Sequence, residues 1–153
     1  MTKKQIKKYT EEILYFLDKD SNKIIVLSFS KKKKRTGVLK DEKGVFYLEI
    51  GKDLFDECKE NKKTWKMRVE YIVAHEYGHI FHDTNYDTFK QKVDSEYKAE
   101  RFALNKLKKY FPKAYQIVIE KGREQLKSRK WSTSKREKHY RKAWKKIKEY
   151  RIK

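Results

Sequence analysis

Between positions 73 and 83 the chain reads VAHEYGHIFHD, and His75, Glu76 and His79 within it spell H-E-x-x-H. Residues four apart stand one above the other on a helix, so both imidazoles can reach a single metal ion. Glu76 then lies beside that ion, where it can take the proton of a water that the metal activates. This is the chemistry of a small zinc-dependent hydrolase. The rest of the chain must supply a third ligand and the elements that position it.

A catalytic zinc ordinarily keeps three protein ligands and one open position. A metzincin would place its third histidine six residues after His79, where Asn85 stands, and its glycine position holds His82. His82 itself follows His79 by three residues and is poorly placed to complete a tetrahedron. Glu96 is the better candidate. In Glu96-Tyr97-Lys98-Ala99-Glu100 the two acids are four apart and share a helical face, and small Ala99 and Ala103 on that face allow a close helix–helix approach. Glu96 is therefore assigned as the third ligand. Glu100 is assigned as the acceptor of the far ring N–H of a ligand histidine, His75, fixing its tautomer. His82, Tyr86 and Tyr97 are candidates to line the cleft or donate to an oxyanion. For His82 the competing role is a cation at the helix C-terminus. Two imidazoles and one carboxylate suit zinc best, with manganese or iron also admitted.

AHEYGHIFH followed by EYKAERFA resembles the ImmA/IrrE family of small metallopeptidases, whose members show A-H-E-x-G-H and then E-x-x-A-N-x-F-A. The resemblance covers roughly residues 38–107. It implies a zincin-like domain, with Glu96 on the family's zinc-ligand position. Glu100 replaces the family's Asn or Asp, and the Leu-Leu-Met-Pro common after the second motif is absent, Leu104-Asn105-Lys106-Leu107 standing there. It further implies a protein substrate, a helix-turn-helix repressor of a phage or mobile element, and work close to DNA.

The positioning elements follow from periodicity. Residues 3–18 carry Ile6, Tyr9, Ile13, Phe16 and Leu17 at helical spacing. Residues 24–29 (IIVLSF) and 45–50 (VFYLEI) read as strands, with a turn at 41–44 across which Val38 and Leu39 can pair. A short helix is expected over 53–60 with Asp53 as N-cap, then a helix from Trp65 through the motif, capped by Thr64. After a loop over 83–88, Asp94 or Ser95 is expected to cap a helix running from Glu96 to about Tyr110. Pro112 suits the first position of the next helix. Ser134 and Glu137 form a capping box that opens a last helix bearing Tyr140, Ala143, Trp144 and Ile147. The fold class expected is α+β: a mainly helical domain over 1–126 with a small antiparallel sheet, and a basic helical extension over 127–153.

The chain has 153 residues, 42% of them charged, and a net charge of +20. Three Trp, eleven Tyr and eight Phe offset the low apolar content, because aromatic side chains bury large areas. Residues 121–153 alone hold fifteen Lys or Arg against three Glu. Such charge attracts polyanions. A second reading follows: a nucleic-acid-binding protein whose metal is structural or vestigial. Its contacts would come from Lys31, Lys32, Lys33, Lys34 and Arg35, and from Trp131, Arg136, Arg141 and Trp144. The bland alternatives are a solvated hairpin loop at 31–35 and an apolar packing seam in the last helix. A DNA-dependent protease of the SprT type would need a third ligand histidine downstream, where only His139 remains. A single cysteine, Cys58, excludes a disulfide framework. No apolar run of about 18 residues is present, and the N-terminus lacks an apolar signal core, so a cytoplasmic, non-membrane, monomeric protein is expected.

Overall fold

The computed structural model describes residues 1–30, 32–82, 87–127, 141–143, 145 and 146. Lys31, Tyr86, Trp131, Arg136 and Trp144 lie outside the described residues, as do the 83–86 stretch and the cap expected at Ser134 and Glu137. The elements run α1 (Lys3–Asp18), β1 (Ile25–Phe29), β2 (Gly37–Lys40), β3 (Phe46–Ile50), α2 (Lys52–Glu60), α3 (Trp65–Ile80), α4 (Phe89–Tyr110) and α5 (Pro112–Lys127). This is an α+β fold, mostly helical, with one small sheet. No helix among the described residues is long and apolar enough to cross a membrane.

The sheet is mixed rather than antiparallel. Its order is β1-β3-β2, with β1 parallel to β3 and β2 antiparallel to it. Residues 32–36 therefore form no hairpin loop; they carry the chain across the end of the sheet. That crossing is tied to the start of α2: the backbone N–H groups of Lys52 and Asp53 donate to the carbonyls of Lys33 and Lys34, each at 3.0 Å. Gly51 is required there, since a Cβ would sit 2.4 Å from the carbonyl carbon of Arg35. Asp53 is not the N-cap, a place taken by Gly51. Its carboxylate instead accepts the Thr36 N–H at 2.9 Å and the Thr36 hydroxyl at 2.7 Å. Pairing partners are set by contacts distant in sequence, which no local pattern encodes.

The motif helix α3 is the centre of the packing. α1, α2, α4, α5 and two strands all touch it. Val69, Val73, Ala74, Tyr77 and Ile80 are buried on it, among Leu48, Ile50 and Leu54 from the sheet and α2, and Ala103 and Leu107 from α4. Tyr77, inside the H-E-x-x-H sequence, donates its hydroxyl to Asp18 at 2.9 Å and so fastens the motif helix to the end of α1. Glu70, a buried acid on another face, accepts the Tyr9 hydroxyl. A buried carboxylate needs such a partner.

The helix after the motif begins earlier than Asp94 or Ser95 would place it. α4 starts at Phe89, capped by Thr88, whose hydroxyl accepts from Gln91 N–H while the Gln91 side chain returns to Thr88. Thr88-x-x-Gln91 is a capping box, and it outcompetes the single oxygens of Asp94 and Ser95. Glu96 consequently sits well inside a helix, on a rigid stretch. Pro112 opens α5 as expected. Residues 141–143, 145 and 146 are helical and rest on α4: Ala143 is buried, and Lys146 pairs with Asp94.

Candidate metal centre

α3 and α4 cross closely because each presents small residues at the contact. A Cβ on Gly78 would lie 2.8 Å from the Ala99 carbonyl oxygen and 3.0 Å from the Ala99 Cα. With glycine there, the backbones approach, and the acids of α4 reach the histidines of α3.

The result is a group of three ligand atoms. His75 Nε2 lies 3.3 Å from His79 Nε2 and 3.3 Å from Glu96 Oε2, and His79 Nε2 lies 3.7 Å from Glu96 Oε2. Zinc bonds of about 2.0–2.1 Å in a tetrahedron imply ligand–ligand edges of about 3.3–3.4 Å. The triangle is thus one face of a tetrahedron of the right size. His75 and Glu96 are buried, and all three residues can hold a metal ion together. The residues present fit such an ion.

The far nitrogens are occupied in a way that leaves Nε2 facing the group. His75 Nδ1–H donates to Glu100 Oε2 at 2.6 Å, and Glu100 is only 2% exposed. The Tyr71 hydroxyl donates to the same carboxylate at 3.0 and 3.1 Å. On the other histidine, Nδ1 stands 3.4 Å from Ser95 Oγ. Tyr71 precedes His75 by four residues and shares its helical face, a spacing visible in the sequence although its partner was not. Ser95, expected as a cap, faces His79 from inside α4.

Electrostatics divide the acids. Burial alone would raise the pKa of Glu96, but the imidazoles of His75 and His79 beside it outweigh that and hold the carboxyl far below the usual range. Glu96 is thus kept ionised, as a ligand must be. Glu76 shifts the other way: loss of surrounding water raises its pKa, His75 and His79 oppose this, and Glu96 and Asp53 add to it. Two carboxyl groups at one site with opposed shifts are suited to different roles.

The remaining candidates separate. His82 follows the end of α3, its N–H reaching the His79 carbonyl at 3.3 Å. Burial, Lys98 and His79 all lower its pKa, which favours a neutral ring over a cation at the helix end. Tyr97 packs on the core with the Lys146 ammonium 5.7 Å from its ring centroid, and it is not a member of the His–His–Glu group. Lys32, Lys33, Lys34 and Arg35 are exposed on the crossing, Lys33 paired with Glu49. Arg141 is half-buried in the segment that rests on α4.

Fold and site together define an α+β chain with a His–His–Glu group able to hold a metal ion. No known protein family, curated protein or solved structure matches it.

Proposed function

We propose that this chain is a zinc metalloendopeptidase of the Glu-type zincin class, resembling the ImmA/IrrE proteins and hydrolysing a peptide bond in a protein substrate. The observation that carries the reading is the convergence of His75 Nε2, His79 Nε2 and Glu96 Oε2 on one tetrahedral face, with Glu76 next to His75 in sequence. Bound there, zinc would supply a Lewis acid for the scissile carbonyl and make water a stronger acid. The chain's own work is then distributed. Glu100, held by Tyr71, keeps His75 in the tautomer that presents Nε2. Ser95 stands against the far nitrogen of His79. Glu76, whose raised pKa makes it a better proton acceptor, takes the proton of the attacking water and returns it to the leaving amine.

The substrate proposed is a DNA-binding repressor of a phage or mobile element. The resemblance supports it, and the charge of +20 suits work beside DNA. The test is incubation of the zinc-loaded protein with a purified helix-turn-helix repressor, alongside elemental analysis. Glu76→Gln should keep its zinc and lose cleavage, whereas Glu96→Ala should lose most of its zinc. Full activity in the first variant, or unchanged metal content in the second, would overturn the assignment.

A further inference from the structure

Away from the metal centre, a cavity of about 310 Å³ opens where Arg141, Lys142 and Lys145 face Phe89 at the start of α4. Phe89, Arg141, Lys142 and Lys145 line it, three cations and one aromatic ring, with no acidic side chain among the described lining residues. Asp94, the nearby acid on α4, is paired with Lys146. The volume lies at the lower end of small-ligand sites, which run from about 300 to 1,000 Å³. The Lys142 ammonium stands 5.0 Å from the Phe89 ring centroid, yet Phe89 remains 42% exposed.

We infer that this cavity binds single-stranded nucleic acid, one base stacking on Phe89 and the flanking phosphates meeting Arg141, Lys142 and Lys145. An aromatic platform bordered by cations is the combination that strands without sequence preference require, because every base has a π-face and every nucleotide a phosphate. A purely apolar ligand would make no use of the three cationic side chains. A bare inorganic anion would make no use of the ring. The net charge of +20 brings polyanions to the surface, and the cavity gives them a defined place. The site is independent of the metal centre, so it stands or falls apart from the peptidase reading.

The experiment is fluorescence anisotropy of a labelled oligothymidylate of about twelve nucleotides. It uses the full chain in EDTA, so that no metal bridges to phosphate, over about 50 to 200 mM salt. Phe89→Ala should weaken binding about tenfold, and Phe89→Tyr should restore it. Replacing Arg141, Lys142 and Lys145 together by glutamine should lower the slope of log affinity against log salt by about 2, near 0.7 for each lost phosphate contact. Replacing Lys3, Lys4 and Lys8 on α1, which removes the same charge, should change the slope far less. Circular dichroism confirms that each variant is folded. Unchanged binding by Phe89→Ala, or an equal loss in the α1 variant, would overturn the inference. Displacement of the strand by equal concentrations of a mononucleotide or an acidic peptide would also overturn it.

Discussion

His75 and Glu100 meet through a 2.6 Å hydrogen bond that joins two helices across twenty-five residues of sequence, both side chains being buried. The carboxylate fixes which nitrogen of the imidazole carries the proton, so Nε2 faces His79 and Glu96. Removing that acceptor frees the ring to take the other tautomer or to rotate. Glu100→Gln should therefore lower zinc affinity by about 10- to 100-fold while His79 and Glu96 stay in place. Competition with a chromophoric chelator measures it, and an affinity equal to the parent's would count against an orienting role. Tyr71→Phe, which removes one donor to the same carboxylate, should have the same sign and a smaller size.

Gly78 sets how near α4 comes to α3. A methyl group there meets the backbone of Ala99 rather than a side chain that could turn away. Gly78→Ala should separate the helices, cost about 1–3 kcal/mol in urea unfolding and weaken zinc binding as well. A stable variant with parental zinc affinity would show that the approach is not limiting.

The pH dependence of hydrolysis follows from Glu76. Its raised pKa means that the ionised form, the one that accepts a proton, is depleted at a higher pH than in an ordinary glutamate. Activity should fall as pH drops through a value above the ordinary glutamate pKa of about 4.3. The profile is read as kcat/KM under saturating zinc, with bound metal checked at each pH. An acid limb at or below the ordinary value would argue against Glu76 as the base.

Asp53 holds the crossing of the sheet through Thr36. Asp53→Ala leaves the Thr36 N–H and hydroxyl without their acceptor, and the loss should be about 1–3 kcal/mol in urea unfolding. Thr36→Val keeps the Thr36 N–H bond but removes both bonds of the hydroxyl, the one it donates to Asp53 and the one it accepts from the Gly51 N–H at 3.1 Å, and should cost a similar amount.

The sequence determined what helical periodicity alone can fix. Four-residue spacing puts His75 above His79 and Glu96 above Glu100, because side chains on one helix repeat by face whatever surrounds them. The pairs of candidate ligands, the small residues at Ala99 and Ala103, and the order of helices and strands were all legible in that way. The capping box at Thr88 was legible too, though Asp94 and Ser95 offered competing caps. Tertiary structure decided the rest. The parallel pairing of β1 with β3, the seating of the 32–36 crossing on Gly51, and the meeting of Tyr71 with Glu100 all join residues far apart in the chain. Local preference cannot choose among such partners; packing of α3 at the centre of the core does, and it turns two separate pairs of side chains into one group.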